Sequence, residues 1–335
     1  MLSAESCVTA NRIPSILFLA GAVCLAGLVL AGEGRSKSQI AKPAPRNKAA
    51  ATSPASESRK ASKAEPPRKY PQPTAQQIRT AREQAGKFAE KAKELAPGIH
   101  LVETDHFLLY TPWDQRADKR LSEVCEKLYA ELCRQFDIPP KENIWVGKCP
   151  IYIFDRPEAY QEFCREADQQ KFSKVAGYCA YDTDGFVYIV MNRGKTRRQF
   201  HELLVHEATH GFLWRYVEHR KIPVWVEEGL AEYMASTLMP RCSAARKYKK
   251  ATKEAVQHNK DVSHIFRRVG LEAFDYGIAQ SLVRFLIAKD RKGFARFVTR
   301  MKRGAAESEA LAAAHGMTHE DLLEAWREAA AKALR

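Results

Sequence analysis

The segment His206-Glu207-Ala208-Thr209-His210 constrains the fold of this chain more than any other feature. It lies within residues 198–218, a run without proline and with a single glycine, which predicts a helix. Residues four positions apart lie on one helical face, about one turn apart, so the two imidazoles can bind one metal ion. Glu207 is rotated by about 100° and can lie beside that ion without binding it. A pair of hydrogen-bonded core histidines is the alternative.

A second motif follows at residues 223–233, Pro-Val-Trp-Val-Glu-Glu-Gly-Leu-Ala-Glu-Tyr, where the proline can open another helix. Seventeen residues separate Glu228 from His210, enough for a reversal and a return to the metal. A catalytic zinc ion has three protein ligands and one open position, and His-His-Glu is one such set. Glu227 is the alternative to Glu228 as the third ligand. Adjacent residues of a helix point in different directions, so only one of the two should face the ion. Glu232 either orients a ligand histidine or is an exposed carboxylate.

His-Glu-x-x-His followed by Trp-x-x-Glu-Gly-x-Ala resembles the gluzincins, zinc metallopeptidases that include thermolysin-like enzymes and aminopeptidases. The similarity extends over roughly residues 176–285. It implies one zinc ion bound by His206, His210 and Glu228, with Glu207 as the catalytic base. It also implies a protein or peptide substrate.

Two further expectations rest on the same resemblance. Gluzincins often use a downstream Tyr or His to stabilise the tetrahedral oxyanion, and Tyr276 is the best-placed candidate, with a packing role as the alternative. In these enzymes an edge strand pairs with the extended backbone of the substrate, and residues 186–191 would be that strand. An ordinary sheet edge is the alternative. His201 is out of register with the two motif histidines and is expected to be a surface or core residue.

Residues 15–31 contain no charged side chain. This run is short for a helix that spans a bilayer and long for the core of a signal peptide, so residues 1–31 form either a signal or an anchor. We therefore expect a single-pass, membrane-anchored or exported protein with an extracytoplasmic domain. The cations that follow the run oppose export under the positive-inside rule, although long domains often cross regardless of such charges.

Half of the net charge of +14 lies in residues 32–73, which contain ten Lys or Arg and three Glu. The segment is rich in Ala, Ser and Pro and has no apolar period, which predicts a disordered linker. Its cations can contact an anionic surface. Apart from Tyr70, no aromatic residue lies among them, which argues against a platform for single-stranded nucleic acid. We expect no specific nucleic-acid partner.

The pattern of residues 74–335 is that of one folded domain. Helices are predicted at 74–95, 116–136 and 157–167, strands at 100–110 and 144–154, and a hairpin at 176–192, with helices after residue 195. This order predicts an α+β fold, in which a small mixed or antiparallel sheet packs on a mainly helical C-terminal half that contains the His-Glu-x-x-His helix. The resemblance makes this fold zincin-like.

Six of the eight cysteines lie in the domain. An even number in an exported domain permits disulfides, but a domain of this size does not need them, so buried free thiols are equally expected. No Cys-x-x-Cys pair is present, which argues against a thiolate zinc site.

These observations predict a zinc-dependent metallopeptidase that hydrolyses peptide bonds with a water activated by the metal and by Glu207. One alternative is a catalytically silent, zincin-like scaffold of the cell envelope, which would not need Glu207. The other is a protein that binds an anionic polymer through residues 32–73, with a steep dependence on salt.

Overall fold

The computed structural model describes residues 70–167, 175–240 and 243–334. They form a five-stranded sheet followed by a helical half. The strands are β1 (His100–Glu103), β2 (Phe107–Thr111), β3 (Cys149–Phe154), β4 (Gly177–Tyr181) and β5 (Val187–Asn192). The helices are α1 (Ala75–Leu95), α2 (Gln115–Gln135), α3 (Pro157–Ala167), α4 (Arg197–Arg215), α5 (Val224–Leu238), α6 (Ser243–Gln257), α7 (Ala273–Lys289), α8 (Arg291–Lys302), α9 (Glu307–His315) and α10 (His319–Ala333). A 3-10 helix at Ser263–Arg267 precedes α7.

The sheet has the strand order β1-β2-β3-β5-β4. The three central strands run parallel, and each edge strand is antiparallel to its neighbour. Parallel neighbours need long crossover connections, and α2 and α3 lie in those connections. The sheet is therefore mixed, as the sequence predicts.

Helices cover both faces of the sheet. Ile151 and Ile153 of β3 join a core cluster that includes residues of α2 and α4. Tyr152 and Phe154, which point to the opposite face, join a second cluster with α1 and α3. Every residue of β3 is buried, because a central parallel strand is covered on both faces.

The first core cluster continues from the sheet into the helical half, where it includes Trp225, Leu282 and Trp326. Helix α4 lies between these two parts, since it contacts β4 and β5 on one side and α5 on the other. The helix contains three histidines and two glutamates, and its packing places His206, Glu207 and His210 in the interior.

The predicted order of mixed elements followed by helices is confirmed. Helix α1 begins directly after Thr74, whose side chain caps it. The prediction of one strand at residues 100–110 is wrong, because β1 and β2 form a hairpin. The hydroxyl of Thr104 accepts from the N–H of Phe107 and closes a turn that has no glycine. The strand predicted at 144–154 is shorter and begins at Cys149.

The assignment of residues 186–191 to a sheet edge is also wrong. Strand β5 pairs with β3 on one side and with β4 on the other. The edge strand is β4, the other half of the same hairpin. A hairpin pattern does not reveal which of its two strands continues into the sheet, because that choice depends on the crossover from β3.

The expected single-pass or exported localisation, with an extracytoplasmic domain, is corrected by the structure. Across the three described ranges, no helix combines the length and the apolar character needed to cross a membrane. Residues 15–31, on which that expectation rested, lie outside the described residues, as does most of the basic segment 32–73.

Residues at the end of the predicted linker contact the domain. Tyr70 is buried, and its hydroxyl donates to Glu142 at 2.8 Å. The carbonyl of Pro71 accepts from Arg215 at 2.7 Å. Within the described ranges, contacts with the domain therefore begin at Tyr70.

The described cysteines are buried and have free thiols; they are Cys125, Cys133, Cys149, Cys164 and Cys179. Burial raises the pKa of the Cys133 thiol to about 12, which keeps it protonated. Cys242 lies outside the described residues.

Candidate metal centre

Helix α4 carries the first part of the site. Thr196 caps the helix by accepting from the N–H of Gln199 at 3.2 Å. Gly211 lies against the sheet, where a Cβ atom would come within 2.6 Å of Val187. Because only glycine permits this close approach, Gly211 determines how deeply the preceding residue, His210, is buried. Both His206 and His210 are buried.

Helix α5 carries the second part. It begins after Pro223 and packs on α7. A Cβ atom at Gly229 would lie 2.6 Å from the carbonyl oxygen of Ala279, so glycine allows the two helices to approach closely. The preceding residue, Glu228, is 7% exposed and is directed towards α4.

The structure brings His206, His210 and Glu228 together. The Nε2 atoms of the two histidines are 3.0 Å apart, and Oε2 of Glu228 lies 3.3 Å from the first and 3.7 Å from the second. Ligand atoms at about 2.1 Å from a tetrahedral zinc ion are about 3.4 Å apart. The buried Oε2 of Glu228 accepts no hydrogen bond from the described residues. These three residues therefore fit a single small metal ion.

Two more carboxylates of α5 contact the outer nitrogens of the same imidazoles. Oε1 of Glu232 lies 3.2 Å from Nδ1 of His206, at an ion-pair distance without the alignment of a hydrogen bond. Oε1 of Glu227 lies 3.3 Å from Nδ1 of His210. Glu232 is buried, which excludes the exposed alternative. Glu227 and Glu228 face different nitrogens of His210, as their helical rotation requires.

The carboxylates dominate the electrostatics of this cluster. Burial lowers the pKa of His206, but Glu232 and Glu228 outweigh it, so its pKa lies well above the ordinary value. The pKa of His210 is raised in the same way, against burial, by Glu228 and Glu227. The neighbouring carboxylates thus stabilise a positive charge at each imidazole, whether a proton or a bound cation supplies that charge.

Glu207 lies apart from the three converging residues. It is buried, and its Oε2 accepts from the backbone N–H of Cys179 in β4 at 3.0 Å. Burial raises the pKa of Glu207 to about 7, despite the opposing effect of the two histidines. Its Oε1 is buried and has no hydrogen-bond partner among the described residues, so it can accept a proton or a hydrogen bond.

The edge strand β4 lies beside the face of α4 that carries Glu207. Ala176 and Asp182, at its two ends, hydrogen-bond to the β5 side of the hairpin. Because strand residues alternate, the N–H and C=O groups of Gly177, Cys179 and Tyr181 point away from β5, to the edge of β4 that pairs with no described strand. Cys179 uses its N–H on that edge to contact Glu207.

The last turn of α4 holds the β4–β5 turn in place. Nε1 of Trp214 donates to the carbonyl of Asp182 at 3.0 Å, and its ring stacks on Tyr181 at 4.1 Å. Nδ1 of His219 lies 3.2 Å from the carbonyl of Thr183. Sequence reasoning missed these contacts. Trp214, four residues after His210 on the same helical face, was the available signal.

His219 is neutral where it contacts the β4–β5 turn. Burial lowers its pKa to about 4, and the neighbouring Arg215 and, more weakly, Lys302 act in the same direction. Asp184 and the carbonyl of Thr183 oppose them. A neutral ring can donate from Nδ1 to Thr183 and accept from Arg215 at Nε2, 2.9 Å away.

Tyr276 lies in the first turn of α7 and is partly buried. It is three residues before Ala279, on the side of α7 that meets α5, and its oxyanion role stays a prediction. His201 lies one and a half turns before His206 on α4, and burial lowers its pKa.

Comparisons with known proteins add no family assignment. The chain matches no protein-family model, and it has no significant match among curated proteins.

Proposed function

We propose that this protein is a zinc-dependent peptidase, in which His206, His210 and Glu228 hold one zinc ion and Glu207 is the catalytic base. One observation carries the proposal. Two imidazole nitrogens and a buried carboxylate oxygen converge within 4.8 Å, while Glu207 lies next to them on the edge-strand side without joining them.

The donor set suits zinc, because imidazole and carboxylate are its usual ligands at catalytic sites. A bound zinc ion would supply Lewis acidity for the scissile carbonyl and for the attacking water. Glu232 and Glu227 lie 3.2 and 3.3 Å from the outer nitrogens of His206 and His210, where their charges favour ring orientations that direct both Nε2 atoms to the metal position.

Glu207 has the position and the protonation behaviour of a general base. Its carboxylate accepts the proton of the water whose oxygen attacks the carbonyl carbon. The same proton then goes to the leaving nitrogen as the C–N bond breaks. The contact with Cys179 holds one carboxylate oxygen and leaves the other for this transfer.

The unpaired edge of β4 is the candidate to bind the substrate backbone. An extended peptide can pair with the N–H and C=O groups of Gly177 and Tyr181 on that edge, as in strand addition, whereas the N–H of Cys179 already donates to Glu207. The stacked Tyr181 and Trp214 hold this edge over α4. We therefore transfer the role expected for residues 186–191 to β4.

We also propose that the fold of this chain is zincin-like. An antiparallel edge strand beside the His-Glu-x-x-His helix, followed by a second helix with the third carboxylate, is the arrangement that the resemblance to gluzincins implies. Tyr276 is retained as the candidate donor to the oxyanion.

Elemental analysis of the purified chain after incubation with zinc tests the metal site. We expect about one zinc per chain in the wild type, loss in His206→Ala, and retention in His201→Ala, a matched histidine of the same helix. A wild type without zinc contradicts the site.

Cleavage of a peptide library tests the chemistry. Glu207→Gln should retain zinc and lose cleavage, because the amide cannot take up the proton. Cleavage that persists unchanged in this variant refutes Glu207 as the base. Zinc binding without cleavage in the wild type favours the silent scaffold.

A further inference from the structure

A separate cavity of about 490 Å³ lies between α2, the first turn of α4 and the C-terminal end of α5. Small-molecule sites have volumes of about 300–1,000 Å³. His201 is part of its lining. At 100° per residue, His201 is about 140° around α4 from His206 and about 180° from His210. The cavity therefore lies on the opposite side of α4 from the metal ligands and is not the proposed catalytic site.

One part of the lining is apolar and partly buried. It consists of Trp113, Val124, Leu238 and Met239. Trp113 is fixed, because its Nε1 donates to Asp155 at 2.9 Å and its ring packs edge-on against Phe200 at 4.8 Å. Trp113 thus provides a fixed aromatic wall for this part of the cavity.

Another part of the lining is cationic. Arg120, Lys127 and Arg197 are exposed at the cavity, and within the described ranges none of them has a carboxylate at ion-pair distance. Glu123 is the acidic residue of the lining. The first turn of α4 has no acidic residue, and the N-terminus of a helix adds positive potential. The charge at the cavity therefore favours an anion.

We propose that this cavity binds a small monocarboxylate with an apolar acyl chain. The chain occupies the surface formed by Trp113, Val124 and Leu238, and the carboxylate pairs with Arg120 and Arg197. Apolar burial provides affinity, and charge-assisted hydrogen bonds provide selectivity for the anion. The site is independent of the proposed peptidase function.

Isothermal titration of the full chain with decanoate tests this proposal, with decanol as the uncharged probe. We expect saturable binding of decanoate and about tenfold weaker binding of decanol. Arg120→Ala and Arg197→Ala should each weaken decanoate binding by about three- to tenfold. Lys119→Ala is the matched control, since Lys119 is the exposed neighbour of Arg120 on α2 and does not line the cavity, and it should change the affinity by less than about twofold.

His206→Ala separates the two sites, because a carboxylate can also bind a metal ion. Decanoate should bind this variant as it binds the wild type. Loss of binding in His206→Ala would place the ligand at the metal centre and overturn the proposal. Equal affinities for decanoate and decanol, unchanged binding in both arginine variants, or no saturable binding would also overturn it.

Discussion

The contact between Gly229 of α5 and α7 gives a prediction in which stability and metal affinity change together. In Gly229→Ala, the new methyl group would lie 2.6 Å from the carbonyl oxygen and 2.8 Å from the carbonyl carbon of Ala279. It would also lie 2.7 Å from a methyl group of Val283. Two of these atoms belong to the backbone of a buried helix and cannot rotate away, so α5 must shift.

The magnitude follows from two opposing effects. Alanine in a helix is more favourable than glycine by about 0.5–1 kcal/mol. Overpacking of a buried contact costs about 1–3 kcal/mol. We expect the free energy of unfolding of Gly229→Ala to fall by about 1–2 kcal/mol. Zinc affinity should fall as well, because the shift displaces the adjacent Glu228 from the two histidines.

Urea unfolding measures the first effect, and competition with a chelator measures the second. Gly86→Ala is the matched control, since Gly86 lies within α1 and no atom is within 4 Å of its added methyl group. This control should gain about 0.5–1 kcal/mol and keep its zinc affinity. The reasoning fails if Gly229→Ala is as stable as Gly86→Ala, or if it loses stability while its zinc affinity stays at the wild-type value.

Glu232→Gln should lower zinc affinity about 10- to 100-fold in chelator competition, because His206 loses the carboxylate at its outer nitrogen. The exposed Glu324→Gln should leave it unchanged. Protonation linked to His219 should lower the free energy of unfolding by about 1–2 kcal/mol between pH 6.5 and about pH 4. Burial lowers the pKa of His219 to about 4, so the unfolded chain binds a proton that the folded chain does not, and the ring's partial exposure reduces the full effect. His219→Gln should lose this pH dependence in urea titrations. The five described cysteines should resist iodoacetamide until the chain unfolds, since their thiols are buried.

Local patterns predict the elements of this fold well, because helices and strands have short periods. Thr74 marks the start of α1, and the run without proline around His206 predicts α4. The choice between β4 and β5 as the edge strand depends on the β3–β5 pairing, which joins distant parts of the chain. Strand pairing of this kind leaves no short-range signal.

The residues of the candidate site also divide into those that local spacing predicts and those that depend on contacts between distant parts of the chain. The spacing of His206, Glu207 and His210 within one helix was enough to place them, since i and i+4 positions share a face. The direction of Glu232 was not predictable, because it depends on how α5 crosses α4. The hydrogen bond between Trp214 and the β4–β5 turn was missed for a similar reason. It joins two elements whose contact follows from the packing of α4 on the sheet.

The charges around the metal centre indicate why this cluster differs from an ordinary polar core. Three carboxylates of α5, Glu227, Glu228 and Glu232, face two imidazoles in a buried region, and Glu207 adds a fourth close by. Buried carboxylates carry a large desolvation cost unless opposite charge or hydrogen bonds compensate it. Two neutral histidines supply no such charge, and Oε2 of Glu228 accepts no hydrogen bond within the described part of the chain. The raised pKa values of His206 and His210 mean that protons on these rings can supply it, although two protonated rings place like charges about 3 Å apart. A divalent cation among the three converging atoms would supply the charge with a single ion. Zinc and protons are therefore expected to compete for the site, so zinc affinity should fall as the pH falls.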